Sequence, residues 1–281
     1  MATPGAAITR IGHGRRAGHG RYHRCMSEGT RTATAVLRRR HEDLISFSET
    51  LSADQLRTQS GSSEWNVAAV LSHLGSAAEI GRSTVTTGKA DMDAAQGVWA
   101  RWNAMTPEKQ AEEFAVASRR LSDALEAFSD EQLADHRIDM VFLPAPVDVL
   151  FYTSMRLSEV GLHGWDAHVP FDEAAAVPGD VVPYVLDQLP MFAGFFAKPA
   201  ERTAELSVKT TSPDREYRLG LRDDGLSLTQ ETSSSSNKLT LLGESLLRLT
   251  SGRLDAAHTP STVTMEGEIT LDDLRRVFPG Y

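Results

Sequence analysis

Apolar residues follow two different rhythms along the chain. From Ser27 to His168 they recur every three or four positions, the period of one helix face; from Ala204 to Thr232 they alternate with polar residues, the period of a strand. Ala33, Leu37, Leu44, Phe47 and Leu51 predict a first helix from Ser27 to about Thr50, with Arg38 to Arg40 as a solvated band. Ser52 to Arg57 reads as a short capped turn. Asn66 can cap a second long helix whose stripe is Val67, Val70, Leu71, Leu74 and Ala77. A loop around Gly88 to Ala94 leads to Gln96–Asn103, with Trp99 and Trp102. Thr106 then caps a third long helix, with Pro107 at its first position and Phe114, Ala117, Leu121, Ala124, Leu125 and Phe128 along its core face. Two prolines within Ile138 to Pro146 mark a link to a fourth, Val147 to about His168. Four long helices joined in this way predict a four-helix bundle over residues 27–170.

Beyond Pro170 the texture changes. Asp172 to Gly179 is turn-forming, and Val181 to Ala197 reads as a helix interrupted by Pro183 and Pro190. The alternating runs 204–210, 216–222, 226–232 and 238–242 read as strands, with Asp224-Gly225 as a hairpin turn. A short helix in ESLLRLTSGR, a strand in TVTMEGE and a last helix in LDDLRRVF complete the pattern. Residues 171–281 are therefore expected to form a smaller α+β domain with an antiparallel sheet. At the other end, residues 1–26 hold five Arg, three His and five Gly with no acid and no periodicity, and predict a disordered basic tail. Met26 opens the protein-like sequence and is a candidate start of translation.

Charge and composition narrow the function. A formal charge of −9 argues against a nucleic-acid binder, which needs a basic face to neutralise phosphates. The sequence contains no apolar run of membrane-spanning length and opens without a secretory signal pattern, so the expectation is a cytoplasmic protein without a membrane partner. Cys25 is the single cysteine, which forbids an intramolecular disulfide. Arg outnumbers Lys by 24 to 5, the codon bias of a GC-rich genome.

Within the fourth helix, Glu159 and His163 stand four residues apart and share one face, and Asp166 continues it a turn later. Their neighbours Tyr152, Met155 and Leu162 are apolar, so these polar groups face the interior and need partners. His73 borders the apolar stripe of the second helix, within reach of a neighbour. Two imidazoles and a carboxylate suit Zn2+, with Ni2+, Fe2+ and Mn2+ as alternatives, and three protein ligands leave a position open for substrate or thiol. The competing reading makes Glu159 and His163 a helix-surface pair and His73 a satisfied core-edge histidine. Asp166 either supports the ligands or is surface charge. His168 points to another face, and His41 reads as a surface or packing histidine.

EWNVAAVLSHL, with Trp65, Asn66 and His73, and RLSEVGLHGWDA, with Glu159, His163, Trp165 and Asp166, together resemble the mycothiol-dependent maleylpyruvate isomerase family of DinB-like metalloenzymes. The resemblance covers nearly all of the chain after Met26. It implies a DinB-like bundle that binds a divalent metal, typically zinc, through His73, Glu159 and His163, followed by an α+β domain. It also implies mycothiol as thiol cosubstrate, in keeping with a GC-rich genome, and an active-site arginine at Arg253, where this chain carries Ser251 before the Gly252-Arg253 pair. On that reading a metal-activated thiolate attacks a small acidic electrophile, giving cis-trans isomerisation or S-transfer, and Arg253 anchors the substrate carboxylate. The alternatives are a non-catalytic small-molecule carrier and a metal-binding structural or regulatory bundle.

Overall fold

The computed structural model describes residues 15–195 and 197–280, with side-chain surroundings from Ser27 onward. Helix α1 spans Arg15–Glu49 and so begins earlier than the expected start at Ser27; the rest of the expected tail, residues 1–14, lies outside the described residues. The one-turn helix α2, Ala53–Leu56, carries a complete capping box between Ser52 and Gln55. Asn66 caps α3, Val67–Thr87, by accepting from the Ala69 amide, and Asp91 caps α4, Met92–Asn103, in the same way. Thr106 and Pro107 open α5, Pro107–Glu126, as the sequence predicts, and a second capping box at Ser129 opens the unanticipated α6, Asp130–Asp135. Asp148 caps α7, Val149–His168.

The long helices α1, α3, α5 and α7 form the bundle. Helix α5 packs between α1 and α3, and α7 closes the ring against the same two. Their facing stripes, Leu37 and Ile45, Leu71 and Leu74, Phe114 and Leu121, and Leu157, are buried in its core. The approach of α3 to α5 depends on Gly75, where a Cβ would lie 2.3 Å from the Trp102 ring and 3.0 Å from the Phe114 Cα.

The second half begins with α8, Val182–Phe192, which takes Pro183 in its first turn and Pro190 in its last. Pro190 has no N–H for the Leu186 carbonyl, and the Tyr217 hydroxyl lies 3.5 Å from that oxygen instead. A 3-10 turn, Ala193–Phe195, follows. The strands are β1 Ala204–Thr211, β2 Arg215–Arg222, β3 Gly225–Thr229, β4 Asn237–Leu242 and β5 Thr264–Glu266, in the spatial order β3-β2-β1-β4-β5. Three pairings are antiparallel, but β1 and β4 run parallel at the centre, so the sheet is mixed rather than purely antiparallel. The chain leaves β1 through the β2–β3 hairpin and returns past β1 on the other side, a connection that alternation along each strand does not encode. Helices α9, Gly243–Thr250, and α10, Leu271–Val277, complete the domain. Helix α8 packs on α7 of the bundle and on α9, so the turn after α9 is delivered to the face of α7 that carries Glu159, His163 and Asp166. Among the described residues no helix is long and apolar enough to cross a membrane.

Candidate metal centre and its cavity

The caps at Asn66 and Asp148 fix where α3 and α7 begin, and hence which way His73, Glu159 and His163 point. His73 Nε2 lies 2.8 Å from Glu159 Oε2, and His163 Nε2 lies 3.8 Å from the same oxygen. One donor atom from each residue falls within 4.8 Å of the others. Donors about 2 Å from a shared cation in tetrahedral array lie roughly 3.3 Å apart, so these two separations bracket what a divalent ion needs. The Trp65 ring lies 4.9 Å from the His73 ring and 5.6 Å from that of His163, walling the cluster on one side. Glu159 and His73 are about a third exposed, whereas His163 is nearly buried.

Behind the cluster stands a polar chain that the helix period alone does not predict. His163 Nδ1 lies 2.9 Å from Asp166 Oδ2. A carboxylate only accepts, so Nδ1 carries the proton and the lone pair of Nε2 faces Glu159 and His73. Asp166 is fully buried and takes both prongs of Arg253, Nε at 2.8 Å and Nη2 at 2.6 Å. Burial is the largest influence on the Asp166 carboxyl and pushes its pKa up, but hydrogen bonds and charge from His163 and Arg253 outweigh it and hold the group below the ordinary carboxylate range. Glu159 behaves alike: burial raises it, and the His73 hydrogen bond with the charges of His163, His73 and Arg156 brings it well below that range. Both groups are anionic at neutral pH.

Arg253 reaches this place through a helix end. The Gly252 amide bonds the Leu249 carbonyl and the Arg253 amide bonds that of Arg248, the paired contacts of a Schellman motif. Gly252 takes the left-handed conformation the motif requires, at φ +74°, which leaves Ser251 as the helix C-cap. Ser251 is thus an ordinary part of the turn that launches Arg253 toward α7.

Glu159 and His163, beside His73, open onto a cavity of about 370 Å3 between α7, α8 and α9, which Arg253 also lines. The family model for the mycothiol maleylpyruvate isomerase N-terminal domain matches residues 37–168, which run from α1 to the end of α7 and contain all three candidate ligands. The bundle belongs to this family. The fold likeness to solved members extends further, through the second half of the chain. A crystal structure of the mycothiol-dependent maleylpyruvate isomerase aligns with a TM-score of 0.59 at 13% identity, covering 87% of this chain and 95% of that one. A histidine-to-alanine mutant of the same enzyme aligns with a TM-score of 0.57 at 14% identity and the same coverage. No curated protein matches this chain in sequence.

Within this isomerase-family fold the residues singled out by sequence occupy one neighbourhood. His73, Glu159 and His163 form the cluster, Asp166 stands behind His163, and Arg253 arrives from the second domain. His168 stays apart, stacked on Phe47 at 3.9 Å between ring centroids, and His41 is a buried packing histidine beside Ser122. The α8 wall of the cavity, with Val185, Leu189 and Phe192, has no polar signature in the sequence. The only available signal was the apolar stripe of α8, which reads equally as core.

Proposed function

We propose that the protein is a mycothiol-dependent metalloenzyme acting on a small electrophile, with cis-trans isomerisation as its reaction class. The observation that supports this reading most is the orientation of His163: its Nδ1 proton is engaged by Asp166, so Nε2 is presented as a ligand beside His73 Nε2 and Glu159 at the edge of a cavity. These three residues would hold a divalent cation, and their two-nitrogen, one-carboxylate donor set suits Zn2+. When bound, the cation would lower the pKa of a thiol and so supply a sulfur nucleophile at neutral pH, the chemistry that thiol-dependent cis-trans isomerisation of a C=C bond needs.

The chain's own residues supply binding and orientation. Asp166 keeps His163 in one tautomer and one ring position. Arg253 holds Asp166 through its fork, so it does not offer that fork to a substrate carboxylate as the sequence reading expects. Its Nη1 also donates to the Ser251 carbonyl at 3.0 Å. Of five guanidinium hydrogens, two remain for an end-on contact with one developing oxyanion or one carboxylate oxygen. The apolar side chains of α8, Val185, Leu189 and Phe192, would shield a sulfur held at this site from water.

The test is turnover. Protein loaded with Zn2+ and given mycothiol and a cis-enone acid should form the trans isomer, followed by proton NMR, and neither protein treated with chelator nor omission of the thiol should allow it. Isomerisation that is indifferent to both would exclude the thiol-dependent reading.

A further inference from the structure

The cavity beside the candidate ligands has a composition that points to what it holds. Met155 and Leu162 of α7, Val185, Leu189 and Phe192 of α8 and Leu247 of α9 make up most of its wall. Of the uncharged polar side chains in that wall, Gln188, Thr250 and Ser251 are already engaged within the protein, and Ser158 adds a single hydroxyl. Gln188 Nε2 donates to the Phe151 carbonyl at 2.9 Å, Thr250 Oγ1 to the Leu246 carbonyl at 3.0 Å and Ser251 Oγ to the Leu247 carbonyl at 2.8 Å. The one cation in the wall, Arg253, spends its fork on Asp166. At the mouth two aromatic rings stand in solvent, Phe142 at 62% exposure and Phe195 at 71%, and Phe195 lies 6.1 Å from Phe192 between ring centroids.

We propose that the substrate is an α,β-unsaturated ketone with an aryl-sized apolar body and no more than one carboxylate, and that Phe142, Phe192 and Phe195 select for that body. A second carboxylate would enter a wall whose only guanidinium is neutralised, and it would lose water in exchange for at most the one hydroxyl of Ser158. An aryl group would cover apolar side chains and meet the edges and faces of three phenyl rings. The cavity volume of about 370 Å3 is within the range of sites that enclose ligands of this size. Exposed phenylalanines at the rim then have a use, since a ligand that reaches them buries them.

This inference rests on the enzymatic reading for the reacting end of the molecule, but its body can be tested without thiol or catalysis. Two saturated, unreactive keto acids serve as probes: 4-oxo-4-phenylbutanoate, which ends in a phenyl ring, and 4-oxoheptanedioate, which ends in a second carboxylate. Isothermal titration of the Zn2+-loaded full-length protein should show the phenyl probe binding at least about tenfold more tightly. Phe142→Ala combined with Phe195→Ala changes two exposed side chains and should weaken the phenyl probe severalfold while leaving the dicarboxylate unchanged. Equal affinities, or tighter binding of the dicarboxylate, would overturn the proposal. So would a phenyl probe indifferent to the double substitution. A phenyl preference in protein that fails the mycothiol turnover assay would keep the cavity assignment and refute the thiol chemistry, leaving a carrier of apolar acids.

Discussion

Asp166 is the residue on which the site converges, since it accepts from His163 on its own helix and from Arg253 in the other domain. Asp166→Asn keeps the shape but can donate toward His163, which frees the imidazole to adopt the other tautomer. Chelator competition should show a metal affinity about 10 to 100-fold lower for this variant, the usual loss when a ligand's supporting partner is removed. Arg253→Lys keeps a charge near Asp166 and loses the fork, whose Nη2 also lies 3.4 Å from His163 Nδ1, so it should lower affinity less than Asp166→Asn; a larger loss would mean that Arg253 rather than Asp166 holds His163 in place. The helix period made Glu159 and His163 legible as a pair, and His73 as a residue at a core margin. It left Asp166 undecided, and only the family resemblance pointed to Arg253, because the contact between the two joins residues 87 positions apart. Spacing along a helix carries information about one turn or two and none about a guanidinium arriving from another domain.

Between elements, the bundle is held by close packing that tolerates little change. Gly75→Ala would drive a methyl into the Trp102 ring where α3 meets α5, and should cost about 1 to 3 kcal/mol, read as a lower denaturant midpoint at constant slope. His41 offers a second test. Burial first, and then the nearby charges of Arg156 and Arg38, push its pKa down to about 3. A histidine that protonates more readily when unfolded contributes its full stability above its ordinary value near 6.5, and that contribution is lost as the pH falls from there toward 3. The slope is at most about 1.4 kcal/mol per pH unit. Melting temperature should therefore fall between pH 6.5 and 5 in the parent protein and fall less in His41→Gln. Equal falls would place the acid sensitivity elsewhere. The long helices and their caps were readable because Asn66, Thr106 and Pro107 are local signals. The parallel β1–β4 pairing was not, since strand neighbours are chosen by the connection rather than by the strands.

At the scale of the molecule, the two halves meet through α8 on α7 and through the buried Arg253–Asp166 pair. Breaking such a pair from one side leaves an uncompensated buried charge, so Arg253→Ala should cost about 3 to 5 kcal/mol and loosen the second domain from the bundle. Differential scanning calorimetry should show one transition for the parent protein and a separated, earlier one in the variant; an unchanged thermogram would make the contact incidental. The order of bundle and α+β domain was visible in the switch of hydrophobic period after Pro170. The cavity between them was not, because its walls are shared among three helices whose apolar faces each look like ordinary core.

The account depends most on the three-residue cluster, and metal binding tests it most directly. Titration of the full-length protein with Zn2+ against a competing chelator should give one ion per chain, and His163→Ala should weaken that binding by more than about 100-fold. A variant that binds one ion as tightly as the parent would contradict the assignment of His73, Glu159 and His163 as the metal centre.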